Sequence, residues 1–558
     1  MNCDECRAHR LTGRAGPSGS TWPPPTGIAH GDQAAQTAAM LRLRCRQLLT
    51  IALAPWGLLP TAAAQQAPAA NVVFLHWNDF HGQFRPQPAA WKVRPGLPAT
   101  RAPTLGGAAA LAGFVQRERD RASTAGQRVV VTDGGDWFQG TLEGNTTKGQ
   151  LVVEFFSRLQ LDAAVLGNHE FDFGADNVRA LVAAAKFPVL GANVWRTGHV
   201  GRERVDYVTP FVKVEVHGLV LVLVGLLTAD TKAVSTGPWG DATFGDEIAA
   251  VRSVLPAAER AGDVVVLLSH CGVETDRALA RAFPTIPLIL GGHSHTGLAA
   301  PLREGDTWIV QTHGKASEVY RLRAHADAGQ RRLRLLGGEL VELDPREHPD
   351  DAATLAWFTA ATRELAATWD RVIGTLEVPP YEDRSARSSP LGNLVADSFR
   401  RAAGTELAFT NKGGLRTHLT AGPVTARQLF ELLPFDNTLV SLTLTGAEVR
   451  QVLQRSLGKD RRPLEISGGS YRYTERDGNR ELLDVTIDGR PLEPSRDYRI
   501  ATSSFLARGG DGQTTFAAGR RVVDHGVVLH EVLIQRAERE PTLRADPANR
   551  IEFVARPQ

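Results

Sequence analysis

The chain is poor in cysteine: four in 558 residues, with Cys3, Cys6 and Cys45 all in the first 64. Without that segment only Cys271 remains, so an internal disulfide framework is excluded. Cys3 and Cys6 have the spacing of half a zinc knuckle, but no second half follows. Net charge is also scarce. Residues 1–64 hold six arginines and three acidic side chains, and the remainder carries 57 basic against 58 acidic groups, a net charge of −1. A near-neutral chain lacks the basic excess that binding a nucleic acid polymer requires. A long apolar run is missing too. A membrane span needs about 20 apolar residues, and the best candidate, Leu48 to Leu59, is interrupted by Pro55 and followed by Pro60.

What the N-terminus does contain is an export signal. Residues 1–39 are rich in Gly, Pro, Ser and Thr without apolar periodicity, as expected of a disordered segment or an upstream over-extension of the reading frame. From Met40 a basic stretch (Arg42, Arg44, Arg46), an apolar stretch (Leu48 to Leu59) and a small-residue site (Ala62-Ala63-Ala64) follow in secretory order. Residues 40–64 therefore read as a signal peptide, cleaved near Ala64. The mature chain is expected to be periplasmic or secreted, with no stable membrane insertion. Export without disulfides suits a bacterial periplasm, where a large core suffices.

From 71 to about 345, strand-like runs alternate with helical stretches, an α/β pattern. Five of the runs end in ligand-type side chains. Val72 to His76 leads into Asn78-Asp79-Phe80-His81-Gly82, and Val129 to Thr132 into Asp133-Gly134-Gly135-Asp136. Ala163 to Leu166 leads into Gly167-Asn168-His169-Glu170-Phe171-Asp172-Phe173-Gly174. Val264 to Ser269 ends at His270, and Leu288 to Leu290 at Gly291-Gly292-His293-Ser294-His295. One such ending is ordinary, and Asn168 and Asp172 alone could simply cap the next helix. Five together, at the strand ends where open α/β sheets hold ligands, point to a metal site. Asp79, His81, Asp136, Asn168, His270, His293 and His295 offer seven side chains, more than one ion needs and suited to two ions sharing a carboxylate. Imidazole and carboxylate without thiolate fit Zn, Mn, Fe or Co rather than Ca or Mg. Cys271, one residue beyond His270 on a continuing strand, points the opposite way and is expected in the core. For His313 a structural or solvated role is expected rather than a place in the pocket wall.

In this order, Asp-x-His, Gly-Gly-Asp, Gly-Asn-His-Glu, Ser-His and Gly-His-x-His resemble the calcineurin-like metallophosphatase superfamily. The stretch Gly167 to Gly174 with Asp172 looks like its 5'-nucleotidase branch, including the bacterial periplasmic 5'-nucleotidase and UDP-sugar hydrolase group. The resemblance implies that Asp79, His81, Asp136 and His295 hold one divalent ion, and that Asp136, Asn168, His270 and His293 hold the other. His295 stands where the branch commonly has Gln or Asn. Two such ions activate water and neutralise charge in an in-line displacement at phosphorus. His169, not needed as a ligand, is left to donate to the leaving oxygen, with Asp172 fixing its tautomer.

Pro349-Asp350-Asp351 begins an Ala-rich amphipathic stretch to about Arg371, closed by Gly374, which reads as a helical connector over 346–374 with Asp350 or Asp351 as cap. By analogy with the family, a hinge is expected near Asp370 to Gly374. From 375 to 558, short strands and turns resemble the 5'-nucleotidase C-terminal domain in four clusters. These are Arg387 to Leu394, Asn411 to Arg416, Leu433 to Asn437 and Phe505 to Gly512. There the resemblance implies phosphate forks in Arg387 and Arg416, stacking faces for a base in Phe435 and Phe505, a ribose acceptor in Asp511 and a base-edge contact from Asn411. Lys412 departs from the pattern, which commonly has glycine.

The expected fold is thus α/β (α+β): a four-layer metallophosphatase β-sandwich flanked by helices, joined by a helical connector to a smaller α+β domain. The expected activity is release of phosphate from nucleoside 5'-monophosphates, extending to nucleotide diphosphates or UDP-sugars. Two alternatives are a related dimetal hydrolase, such as a 2',3'-cyclic nucleotide phosphodiesterase or sulfur-compound hydrolase, and an inactive nucleotide-binding surface protein. Asp172 and the two phenylalanines disfavour the first. The second requires a lost ligand, and none is lost.

Overall fold

A computed structural model describes residues 69–555, apart from residues 90–91, 93–101, 202, 379–386 and 459–460. The expected signal segment and the extension before it lie outside the described residues. From Ala69 onward the chain clusters as one compact unit.

The strand Val72–Trp77 is buried along its whole length. Alternation explains how: Val72 and Phe74 face one core while Val73, Leu75 and Trp77 face another. A strand covered on both faces must read as a continuous apolar run, which is why it shows no polar alternation. It pairs in parallel with Arg128–Asp133 and antiparallel with Glu318–Asp327. The full six-stranded sheet runs in the order 332–342, 318–327, 72–77, 128–133, 163–165, 189–190. A second six-stranded sheet has the order 302–304, 307–310, 288–290, 264–270, 219–227, 211–216.

The two sheets pack face to face through Val72, Phe74, Val130 and Val165 on one side and Leu221, Leu223, Val266 and Leu268 on the other. Helices Ala108–Thr124, Gln150–Leu159 and Ala175–Ala184 cover the outer face of the first sheet. Helices Glu247–Ala261 and Val273–Ala282 cover the second. The result is the expected four-layer sandwich. The same period of two places Cys271, a free and buried thiol, with Val265 and Leu267 in the outer core, on the opposite face from His270.

Between this sandwich and the following sheets lie two helices, Ala352–Ala361 and Arg363–Trp369. Asp351 caps the first by accepting from the Thr354 amide at 2.7 Å. The connector differs from expectation in two respects. It is broken at Thr362, whose backbone leaves helical geometry (φ −110°, ψ 10°) although its amide and hydroxyl both still donate to the Phe358 carbonyl, at 3.0 and 2.8 Å. It also ends at Trp369, because Gly374 belongs to the strand Val372–Glu377, paired with Gly422–Thr425 and Thr542–Arg544.

The remaining chain is α+β. Its principal sheet has the order 465–467, 407–410, 497–503, 438–445, 520–528. Helix Pro390–Ala403 packs on it with Pro390 in the first turn, Ser389 as N-cap and left-handed Gly404 as C-cap, the usual asymmetry of helix ends. Among the described residues no helix is long and apolar enough to cross a membrane.

Candidate active site

All seven ligand candidates stand at or just beyond the carboxyl ends of parallel strands, three in the first sheet and two in the second. Backbone bonds lash these ends together. The Asp79 amide donates to the Gly135 carbonyl, and the His81 amide to the Asp136 carbonyl, each at 2.9 Å. Gly167 has to be glycine: a Cβ there would lie 2.2 Å from Asp136 Oδ1 and 2.3 Å from Asp136 N. Five of the candidates take left-handed backbone angles, with φ of 53° at Asp79, 51° at His81, 58° at Asp136, 79° at His293 and 52° at His295. Side chains rarely adopt this conformation without external support. Here it turns each of them toward a common point.

Two groups of donor atoms result, Asp79 with His81 and His295, and Asp136 with His270 and His293. The Asp136 carboxylate looks at both: Oδ1 lies 3.3 Å from His270 Nε2 and Oδ2 lies 3.8 Å from His81 Nε2. Asn168 Oδ1 is 3.3 Å from His270 Nε2, and His295 Nε2 is 3.1 Å from Asp79 Oδ1.

These residues fit divalent ions on three grounds. The far nitrogens of three imidazoles are taken by backbone carbonyls: His81 Nδ1 by Gln139 at 2.6 Å, His270 Nδ1 by Gly134 at 2.6 Å and His295 Nδ1 by His313 at 3.0 Å. That arrangement leaves Nε2 as the lone-pair donor, the form a metal ligand takes. Asp79 Oδ1 is buried without a hydrogen-bond partner, whereas Oδ2 accepts from Asn78 Nδ2 and the His293 amide. Finally, the pocket calls for positive charge. Burial opposes an imidazolium at His270, yet the Asp136 carboxylate pushes its pKa up to about 10. His293, by contrast, is lowered to about 3 by burial and the neighbouring charge of His270.

His169 is 8% exposed and sits beside these groups. Its Nδ1 donates to Asp172 Oδ2 at 2.6 Å, and its amide donates to Asp136 Oδ1 at 2.9 Å. Asp172 is held in turn by the Thr236 amide and hydroxyl, at 2.8 and 3.1 Å from Oδ1. Burial disfavours the imidazolium, but the Asp172 and Asp136 carboxylates outweigh it and raise the His169 pKa above the usual histidine value. The capping alternative for Asn168 and Asp172 is not realised: helix Ala175–Ala184 begins at Gly174 with no side-chain cap.

Sequence reasoning missed Glu170. It is fully buried, and its carboxylate accepts from the amides of Gly167 at 2.6 Å, Trp137 at 2.7 Å and Asp136 at 3.0 Å. It thereby clamps the Asp136 turn to the Gly167 turn. Burial and the nearby Asp136 charge raise its pKa to about 7. Its position in Gly-Asn-His-Glu was the one signal that could have found it. His313 lies at the rim, its ring bonded to Glu318 at 2.8 Å.

The C-terminal candidates divide. Arg416 and Phe435 reach the metal-ligand groups: Arg416 Nη2 is 3.2 Å from His81 Nε2, its guanidinium carbon is 5.7 Å from the Phe435 ring centre, and that ring is 5.8 Å from His169. Asn411 and Asp511 form a second group, joined by an Nδ2–Oδ2 bond of 2.7 Å. Phe505 is half-buried against the Leu407/Phe409 core, and Arg387 is exposed. Among the described residues no ring contact joins Phe435 to Phe505.

Arg416 is held in place from the other domain, because Lys315 Nζ donates to its carbonyl at 2.6 Å. Nearby, Asn145 Nδ2 donates to the Pro434 carbonyl at 2.5 Å, and Arg427 Nη1 meets Glu143 at 2.7 Å.

Comparison with known proteins agrees with this geometry. The calcineurin-like phosphoesterase family model matches residues 72–297, and the model of the 5'-nucleotidase C-terminal domain matches residues 372–518. Protein UshA of Yersinia enterocolitica is 25% identical over 532 residues, covering 85% of this chain and 92% of that protein. Human 5'-nucleotidase is 27% identical over 518 residues, covering 83% and 88%. The crystal structure of a 5'-nucleotidase precursor from Thermus thermophilus superposes with a TM-score of 0.77 at 29% identity, over 87% of this chain and 100% of that one. With both domain types present in sequence and in space, the chain belongs to the family that joins a calcineurin-like phosphoesterase domain to a 5'-nucleotidase C-terminal domain, and it is a metal-dependent phosphoric ester hydrolase.

Proposed function

We propose that the protein is an exported 5'-nucleotidase, in which residues 71–345 carry the chemistry and 375–558 select the substrate across the 346–374 connector. One observation carries the reading: Asp136 presents one oxygen to each ligand group, and Arg416 and Phe435 of the other domain stand at that same point. Asp79, His81, Asp136 and His295 would hold one divalent ion, and Asp136, Asn168, His270 and His293 the other, drawn from Zn, Mn, Fe or Co by the chemistry of the donors. Such ions supply Lewis acidity toward a phosphoryl group and lower the pKa of water.

The rest of the work falls to the chain's own residues. The Arg416 guanidinium, facing the ligand groups, is placed to fork phosphate oxygens. His169 Nε2, on the far side of the ring from Asp172, gives its proton to the departing ester oxygen. Asp172, fixed by Thr236, keeps the Nδ1 proton in place and holds the ring's orientation. Phe435, beside His169, offers a face to the nucleoside. Phe505, Asn411, Asp511 and Arg387 complete nucleotide binding in this reading.

Phosphate release by the metal-reconstituted mature protein, across mono-, di- and cyclic nucleotides and UDP-sugars, tests it. Turnover of AMP or its analogues is expected. Turnover confined to 2',3'-cyclic nucleotides or to sulfur esters would replace the reading, and binding without turnover would reduce the protein to a nucleotide-binding one.

A further inference from the structure

Glu465, the first residue of the strand Glu465–Ser467, is completely buried and carries a carboxylate. Its oxygens accept from the Ser389 amide at 3.0 Å, the Ser389 hydroxyl at 2.8 Å and Lys412 Nζ at 2.5 Å. The Lys412 side chain is only 7% exposed, and its ammonium also donates to the Arg387 carbonyl at 2.7 Å. The surrounding chain is shaped for this pair. A Cβ on Gly392 would lie 2.4 Å from the Glu465 carboxyl carbon, so the first turn of helix Pro390–Ala403 makes room for it.

A charged pair so far from water persists only when its remaining hydrogen-bonding capacity is met, and each bond here ends on a segment assigned to substrate binding. Arg387 lies on one of those segments. Asn411 immediately precedes Lys412, and the Gly414 amide closes the turn by donating to the Asn411 carbonyl at 3.1 Å.

We propose that the buried Lys412–Glu465 pair is a positioning device for nucleoside recognition, bracing the Arg387–Gly392 segment and the Asn411–Gly414 turn in one fixed relation. The inference rests on the nucleotide reading above. Lys412 and Glu465 touch no reacting atom. Their influence passes through the Asn411 turn, to nucleoside binding and not to the phosphoryl step. This brace belongs to a chain with lysine at position 412, and a chain with glycine there must hold the same two segments by other means.

The test measures binding of adenosine, which carries no phosphate, to the full chain by calorimetry, alongside turnover of AMP and p-nitrophenyl phosphate. In Lys412→Met, adenosine affinity and the KM for AMP are expected to worsen about tenfold, the equivalent of one well-placed hydrogen bond. Turnover of p-nitrophenyl phosphate stays at the wild-type value. Lys412→Met leaves Glu465 buried and unpaired and so can fail to fold. The double variant Lys412→Met/Glu465→Gln removes both charges and carries the same expectation. Wild-type adenosine affinity in a folded double variant overturns the proposal, as does equal loss on both substrates with a lowered melting temperature, the mark of a purely structural pair. No adenosine binding by the wild type overturns the nucleotide reading itself, and the brace with it.

Discussion

The candidate metal centre and the segments proposed to bind the nucleoside are built from opposite materials. The first stands on the ends of strands from two packed sheets. Asp79, His81, Asp136, Asn168 and His270 are all buried, and three of the imidazoles have their far nitrogen fixed by a backbone carbonyl. The second is made of turns and single-turn helices, with Arg387 and Asp511 exposed and Asn411, Phe435 and Phe505 half-buried. Chemistry on phosphorus tolerates little displacement of the reacting groups and is placed on rigid elements, whereas selection of a substrate can be carried by loops held on a scaffold. Substitutions in the first region should therefore abolish reaction on every ester, and those in the second should discriminate between esters.

The strongest test of this contrast is Asp136→Asn. Losing the carboxylate that faces both ligand groups should lower phosphate release at least about a thousandfold on all substrates and reduce bound metal. Elemental analysis showing two ions per chain at unchanged affinity would refute a bridging role. His169→Ala comes next. The metal content should hold, while kcat falls roughly 10²–10⁴-fold, the usual worth of general acid catalysis. Metal loss in this variant would make the imidazole a ligand after all.

Phe505→Ala should reduce kcat/KM on AMP about ten- to a hundredfold, from one lost base stack of about 1–3 kcal/mol, and leave p-nitrophenyl phosphate untouched. Phe435→Ala should match it on AMP and, because its ring borders His169, also affect the generic ester slightly. Parallel loss on both esters with a lower melting temperature would show both rings to be core. The smallest effect is expected from Cys271→Ala: about 1 kcal/mol of stability, read by denaturant titration, with activity and metal content unchanged. A drop in metal content would bring the thiol into the centre.

How much was legible beforehand follows the same division. Residues whose geometry is set by periodicity could be placed from sequence, as the opposite facing of His270 and Cys271 illustrates. Glu170 could not be given a role, since its partners are backbone amides and amides leave no trace in side-chain identity. Nor could the approach of Arg416 to His81, 335 positions away, be derived from any local rule. The connector reads as one helix because its composition favours helix throughout. Its break is a backbone turn at Thr362 that no residue type in the stretch announces, and its end depends on a sheet that recruits Gly374.

The left-handed angles at Asp79, His81, Asp136, His293 and His295 carry an energetic consequence. A non-glycine residue in that conformation is strained by roughly 1–2 kcal/mol, so each of the five positions is one where glycine would relax the fold. Asp79→Gly in the metal-free chain relieves that strain but takes the acceptor from Asn78 Nδ2 and the His293 amide, so it should melt close to the parent while being inert. Five left-handed side chains gathered on one spot are therefore a standing cost in backbone energy, of the kind tolerated where the conformation serves function.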